Sequence, residues 1–117
     1  YEGSELLKAM AQRTCFMREW TVFLQKYPLV LTPFMPFQTW EWDRDLRGID
    51  GARTVLEGGI YSVSINFLGL PAGNVPAHHN DGLPIGVQIV GQRFREDLIL
   101  NACEAIEQRV GLMADQL

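Results

Sequence analysis

Apolar residues recur at intervals of three and four positions in the first part of the chain, a spacing typical of an α-helix with one buried face. Ser4 is a suitable N-cap for this helix. Pro28 ends it, because a proline pushes the preceding residue out of the helical region. The apolar stripe comprises Leu6, Met10, Met17, Trp20 and Leu24, widened by Leu7, Phe16 and Phe23.

Two different patterns follow this helix. Residues 29–31 are apolar and, with Thr32, indicate a short buried strand, which Pro33 and Pro36 end because proline cannot donate to a strand ladder. Residues 34–59 have no clear period; they are aromatic at first, then charged, and contain glycines typical of turns. We therefore predict a long irregular connection here, and such loops are commonly functional.

The pattern at residues 60–70 has two interpretations. Tyr61, Val63, Ile65 and Phe67 alternate with polar residues, which favours a strand. The positions of Tyr61, Ile65 and Leu68 also fit one face of a helix that ends before Gly69. Periodicity alone leaves both interpretations open.

The last third of the chain predicts an antiparallel hairpin and a helix. Residues 75–77 and 85–90 are strand-like and flank residues 78–82, which indicate a turn longer than the minimal two residues. The helix runs from about residue 96 to residue 110, with acidic residues at its start and Gly111 as its C-terminal cap. Its apolar face consists of Leu98, Ile99, Ala102, Cys103, Ile106 and Val110.

Composition narrows the class of protein. The 117 residues fit one compact domain or a piece of a larger one, and 47% apolar residues indicate a folded chain. Ten scattered basic residues and a net charge of −4 argue against nucleic-acid binding. The chain contains no apolar run near the roughly 20 residues of a membrane-spanning helix.

The cysteines and the first residues suggest where the chain comes from. Cys15 and Cys103 lie on apolar faces of predicted helices, so we expect reduced, buried thiols. With no signal-peptide pattern, this favours the cytoplasm. The chain begins at Tyr1 without an initiator methionine and leads almost directly into a helix, which suggests a fragment of something longer.

Two motifs in the second half are more specific. The run from Asn66 to Pro76 has the sequence NFLGLPAGNVP, and the run from Gly82 to Gly91 has the sequence GLPIGVQIVG. Both resemble stretches near the C-terminus of amidase-signature enzymes. Residues 31–33 with Pro36 resemble the upstream Thr-Pro-x-x-Pro segment of that family, so the resemblance covers most of the chain from about Leu29 onward.

The resemblance implies a fold and an activity. It implies an α/β fold in which residues 1–117 form the C-terminal part of the mixed-sheet amidase-signature domain, with a β-hairpin and flanking helices. It favours a helix over residues 60–68, closed by Gly69. It also implies that the intact protein hydrolyses a carboxylic amide C–N bond, without a cofactor.

The family's catalytic groups are a nucleophilic Ser, a bridging Ser and a Lys, and this chain does not supply them. Its three serines, Ser4, Ser62 and Ser64, lie outside any Gly/Ser-rich run, and its lysines are both on the first helix. Ser62 and Ser64 lie in an apolar element with no nearby base. We therefore expect no catalytic residue here, an inactive fragment and a triad upstream of Tyr1.

The remaining polar clusters have simpler interpretations. His78 and His79 are adjacent, so their side chains should diverge, and the further ligands of a closed metal site are missing. We predict a solvated turn and no metal site, against the alternative of a small metal hydrolase. The alternating carboxylates Glu41, Asp43 and Asp45 are expected to form a solvated loop edge.

The aromatic segment after Pro33 has the best case for function. In the family this segment borders the acyl pocket, so the resemblance implies that Phe34, Met35 and Trp40 form an apolar pocket wall suited to an aromatic or aliphatic amide. Packing in the core is the alternative. Gly58 and Gly59 stand where glutamine-specific members carry an acidic residue, which argues against membership of a tRNA amidotransferase.

The expected fold also predicts how the chain associates with other molecules. A fragment of a larger sheet exposes strand edges and apolar surface, so we predict self-association of the chain. The alternative to an enzyme segment is a non-catalytic binding or assembly module that retains the amidase scaffold.

Overall fold

Four α-helices and a three-stranded sheet form the chain in the computed structural model, over the residues that it describes, 2–112 and 115. The resulting α/β architecture, with a hairpin and flanking helices, is the one expected from the resemblance. The elements in chain order are α1 (Gly3–Lys26), β1 (Leu29–Pro33), a short 3-10 turn (Arg44–Leu46), α2 (Gly48–Gly58), α3 (Ile60–Leu68), β2 (Ala72–Asn80), β3 (Leu83–Gly91) and α4 (Glu96–Val110).

The sheet is antiparallel, with β3 in the centre between β1 and β2. The predicted hairpin of β2 and β3 is confirmed, but the prediction of a long loop was wrong. Its turn is Asp81–Gly82, both with positive φ (51° and 76°). Two left-handed residues match the twist of the flanking strands, so the ladder continues up to the turn and His78 and His79 belong to β2.

Helix α4 packs on one face of the sheet and forms the core with it. Ile99 of α4, Val75 of β2 and Ile89 of β3 are all buried, with Leu29, Ala102, Cys103 and Ile106 around them. The predicted bounds of this helix are confirmed. Gly111 closes it, since its N–H donates to the carbonyl of Glu107 at 2.8 Å.

Helix α1 buries much less of its apolar stripe than the sequence predicts. Leu24 is 1% exposed, whereas Leu6 and Met10 are more than half exposed. Ser4 is not the N-cap; Glu2 occupies that position, and its backbone N–H donates to the Glu5 carboxylate at 3.2 Å. The first turns of α1 therefore present apolar side chains to the outside.

Helix α3 confirms the interpretation that the resemblance favoured for residues 60–68. It ends at Gly69, which has a φ of 65° that side chains rarely adopt. Arg93 donates to the carbonyls of Leu68 (2.8 Å) and Gly69 (3.1 Å), and Arg13 of α1 donates to that of Phe67. These cationic groups satisfy the carbonyls at the negative end of the helix.

Helix α2 lies within the segment predicted to be irregular, so that prediction was wrong in part. The glycines of α2 suggested turns, but Gly58 lies within the helix at a point where another group approaches closely. The indole ring of Trp40 lies against this glycine, and a Cβ there would collide with the ring. Gly51 is also buried.

The cysteines differ in exposure. Both are free, but the expectation that both are buried was wrong for Cys15, which is exposed on α1. Cys103 is partly buried on α4. Burial raises the pKa of the Cys103 thiol, and the negative charge of Glu107 adds to that effect.

The molecule is a thin slab of 52 × 42 × 15 Å. Its surface of 8656 Å² exceeds the roughly 6,500 Å² of a compact monomer of this mass. Among residues 2–112 and 115, no helix is long and apolar enough to cross a membrane. The exposed large apolar side chains include Leu6, Leu7, Met10, Phe16, Val22 and Phe23 of α1, and Ile60, Tyr61, Val63 and Phe67 of α3.

Candidate substrate-binding groove

A groove of about 420 Å³ lies between the segment that follows β1 and the β2–β3 hairpin. The backbone N–H of Phe34 donates to the carbonyl of Gly86 at 3.3 Å, which holds the segment beside β3. No charged side chain is among its lining residues in the described part of the chain. The groove is lined by residues 34–39 and by Asn74, Pro76, Pro84, Ile85 and Gly86.

The three residues predicted to form the pocket wall line two different depressions. Phe34 and Met35 line the groove together. Trp40 instead contacts Gly58 and the ring of Phe37, with ring centroids 5.8 Å apart. It lines a neighbouring depression with Trp42. Whether these three side chains contact a substrate remains a prediction.

The hairpin contributes residues that sequence reasoning did not assign to the site. Asn74, Pro76 and Ile85 line the same groove as Phe34. The signal for them was Gly86, a glycine within a strand, which indicates a close approach. The approaching group is Asn74: a Cβ at position 86 would lie 2.6 Å from its Oδ1.

A row of polar side chains crosses the sheet beside the groove. Thr32 of β1 and Asn74 of β2 both face Gln88 of β3 in register, so the three side chains lie on one face. Gln88 is 4% exposed, and its Nε2 donates to Thr32 Oγ1 at 3.0 Å. This bond satisfies a donor that would be costly to bury unpaired.

Both serines of α3 use their hydroxyl groups in local hydrogen bonds. The Ser62 hydroxyl donates to the carbonyl of Gly59 at 3.1 Å, and the Ser64 hydroxyl donates to that of Ile60 at 2.6 Å. Lys8 and Lys26 are on α1, and the Nζ of Lys26 lies over the Tyr27 ring. Across residues 2–112, no hydrogen bond joins a serine to a lysine.

The histidines do not diverge as predicted. Their rings are stacked with centroids 5.6 Å apart and an interplanar angle of 18°. A bulge between Pro76 and His78 increases the local twist of β2, which accounts for the departure from simple alternation. No group of three or more His, Cys, Asp or Glu side chains in the described ranges is placed to hold a metal ion.

The carboxylates of residues 41–45 are exposed, in the loop that leads to α2. Glu41 pairs with Arg47 at 2.7 Å, and both side chains are at least half exposed. Exposed pairs of this kind contribute at most about 1 kcal/mol. The loop edge is therefore a solvated surface, as the sequence predicted.

Comparison with known sequences finds one family model and several relatives that match most of the chain. The family model described as Amidase matches residues 1–100. Indoleacetamide hydrolase of Bradyrhizobium japonicum is 41% identical over 112 residues, which is 95% of this chain and 24% of that protein. One subunit of the glutamyl-tRNA(Gln) amidotransferase of Archaeoglobus fulgidus is 30% identical over 111 residues, which is 95% of this chain and 23% of that protein.

Solved structures with similar folds also match most of the chain. The corresponding subunit of the glutamyl-tRNA(Gln) amidotransferase of Thermotoga maritima superimposes with a TM-score of 0.78 at 30% identity, over 90% of this chain and 22% of that one. The 6-aminohexanoate cyclic dimer hydrolase gives a TM-score of 0.76 at 23% identity, over 97% of this chain and 26% of that one, and supports the fold alone. The chain spans about a quarter of the length of these relatives. With its family model matched over residues 1–100, the chain belongs to the amidase family.

Proposed function

We propose that residues 1–117 are the C-terminal segment of an enzyme that hydrolyses a carboxylic amide C–N bond. The nucleophilic Ser, the bridging Ser and the Lys lie upstream of residue 1, and this segment is inactive alone. The observation that carries the proposal is the apolar groove beside Phe34 and Met35. Its volume of about 420 Å³ lies in the range of small-molecule sites.

The exposed apolar surface supports a larger protein around this segment. The chain exposes about 2,000 Å² more than a compact monomer of its mass, an area on the scale of obligate interfaces. In the proposed enzyme, the upstream part covers the apolar side chains of α1 and α3. The same surface supports self-association of residues 1–117 when they are produced alone.

The groove also supports a class of substrate. Phe34, Met35, Phe37 and Ile85 offer a flat apolar ligand two walls and no charged partner. The relative that is 41% identical is named for hydrolysis of an arylacetamide. We therefore propose an amide with a flat apolar acyl group, such as an arylacetamide, and we propose a cytoplasmic location on the basis of the two free thiols.

The test compares the intact protein with this segment. The intact protein is expected to release ammonia from indole-3-acetamide, and residues 1–117 alone are expected to release none. Replacing Phe34 by Ala should raise KM about tenfold, because it removes apolar contact with the acyl group. Phe94→Ala is the matched control, since Phe94 is 89% exposed and outside the groove. Turnover by residues 1–117 alone would contradict the proposal.

A second candidate is a binding or assembly module that retains the amidase scaffold without catalysis. The uncovered surface of α1 and α3 favours it, because such a surface suits a separate partner as well as an upstream domain. The coding sequence upstream of residue 1 separates the two functions. A Gly/Ser-rich segment preceded by a Lys supports the enzyme, and a nearby start codon supports the module.

A further inference from the structure

The carboxamide of Asn74 has an unusual position in the groove. Asn74 lies on β2 opposite Gln88, and its side chain lies flat over Gly86 of the next strand. A Cβ at position 86 would lie 2.6 Å from Asn74 Oδ1 and 2.9 Å from Nδ2. The bare glycine therefore creates the space in which this carboxamide rests.

The side chain of Asn74 is exposed and has no hydrogen-bond partner in the described part of the chain. Within residues 2–112, its carboxamide forms no hydrogen bond, whereas Gln88 and Thr32 in the same row bond to each other at 3.0 Å. A carboxamide carries two donor hydrogens and an acceptor oxygen. All of these groups are left for water or for a ligand.

The apolar surroundings of Asn74 limit which ligands can bind to its carboxamide. Phe34, Met35 and Ile85 line the same groove as Asn74 and are apolar. A flat apolar ligand in the groove would exclude water from Asn74, and a ligand without a matching polar group would leave the carboxamide unpaired. Sites of this kind reject analogues that lack the polar group.

The backbone of Asn74 is also better fixed than that of the other polar residues of the groove. Gln38 and Thr39 lie on the irregular segment after β1, whereas Asn74 lies on a strand paired to β3 along its length. Recognition groups on paired strands hold their geometry more closely than groups on loops.

We infer that Asn74 determines substrate specificity: its carboxamide oxygen accepts a hydrogen bond from an N–H on the edge of a flat apolar acyl group that occupies the groove. This inference rests on the proposed amide hydrolysis and adds a polar requirement to it. The scissile amide itself is handled by the upstream groups, so Asn74 acts on the acyl end of the substrate.

The test measures kcat/KM of the intact protein for indole-3-acetamide and for 1-benzothiophene-3-acetamide, in which sulfur replaces the ring N–H. The native protein is expected to prefer the indole by about tenfold or more. Asn74→Leu, of similar size, should bring the ratio close to one by losing activity on the indole alone. Asn101→Leu is the control, an exposed Asn on α4 that is not among the groove-lining residues, and it should keep the native ratio.

Each outcome bears on a different claim. A native ratio near one, or a ratio that Asn74→Leu leaves unchanged, overturns the inference and leaves the proposed hydrolysis standing. Failure of the native protein to hydrolyse either amide overturns both. If Asn74→Leu does not fold, the ratio of Asn74→Ser decides, because the shorter hydroxyl is expected to lower the preference in the same way.

Discussion

Helices α4 and α1 both carry an apolar stripe, but only α4 buries it within this chain. Ile99 of α4 is 3% exposed against the sheet, whereas Leu6 and Leu7 of α1 are 58% and 70% exposed. The sheet gives α4 a continuous apolar face formed by Val75 and Ile89. The difference shows that an apolar stripe specifies burial but not the surface that provides it.

The same contrast separates two kinds of stability in the molecule. The α4–sheet unit contains its own core, so its contacts stabilise it wherever the chain is placed. Helix α1 reaches the rest of the chain through few groups, among them the guanidinium of Arg13 on the carbonyl of Phe67 and the buried Leu24. We therefore expect α1 to open locally more readily than α4.

The largest expected effect tests the core under α4. Replacing Ile99 by Ala should lower the free energy of unfolding of residues 1–117 by about 2–5 kcal/mol, because it leaves a cavity between α4 and the sheet. The next residue provides the control: Leu100 is 67% exposed, and Leu100→Ala should change that free energy by less than about 0.5 kcal/mol. Chemical denaturation measures both. Equal effects at the two positions would show that α4 is not anchored through this face.

An intermediate effect tests the uncovered surface of α1. Residues 1–117 alone should form dimers or larger species, and Leu7→Glu should shift the mass from light scattering toward that of the monomer, because a charge on the apolar stripe opposes its burial. Leu100→Glu, an equally exposed change on α4, should leave the association as it is. A native chain that stays monomeric at high concentration would contradict the assignment of α1 as an interface.

The sequence predicted the parts of the fold that depend on local signals. The bounds of α4 follow from its apolar period, its acidic first turn and Gly111, all within one short stretch. Helix α2 was missed because Gly51 and Gly58 have low helix propensity, and the contact of Gly58 with Trp40 was invisible in the sequence.

The groove was predicted only in part, for a related reason. The resemblance predicted Phe34 and Met35 as pocket-wall residues, and both lie on one continuous segment that lines the groove. The opposite wall depends on the N–H of Phe34 meeting the carbonyl of Gly86, a contact between positions far apart in the chain. Asn74 lies in the groove because of that contact and because of the strand register. Neither can be predicted from a local sequence pattern.

The smallest expected effect compares the two thiols, which report on the same two helices. Cys15 is exposed on α1, whereas partial burial and Glu107 raise the pKa of Cys103 on α4. Iodoacetamide should therefore modify Cys15 several-fold faster than Cys103 at pH 8, because the thiolate is the reactive form and access is also restricted at Cys103. In denaturant the rates should converge. Equal rates in the native chain would mean that α4 separates from the sheet on the timescale of alkylation. Helices α1 and α4 would then differ in how they pack but not in how readily they open.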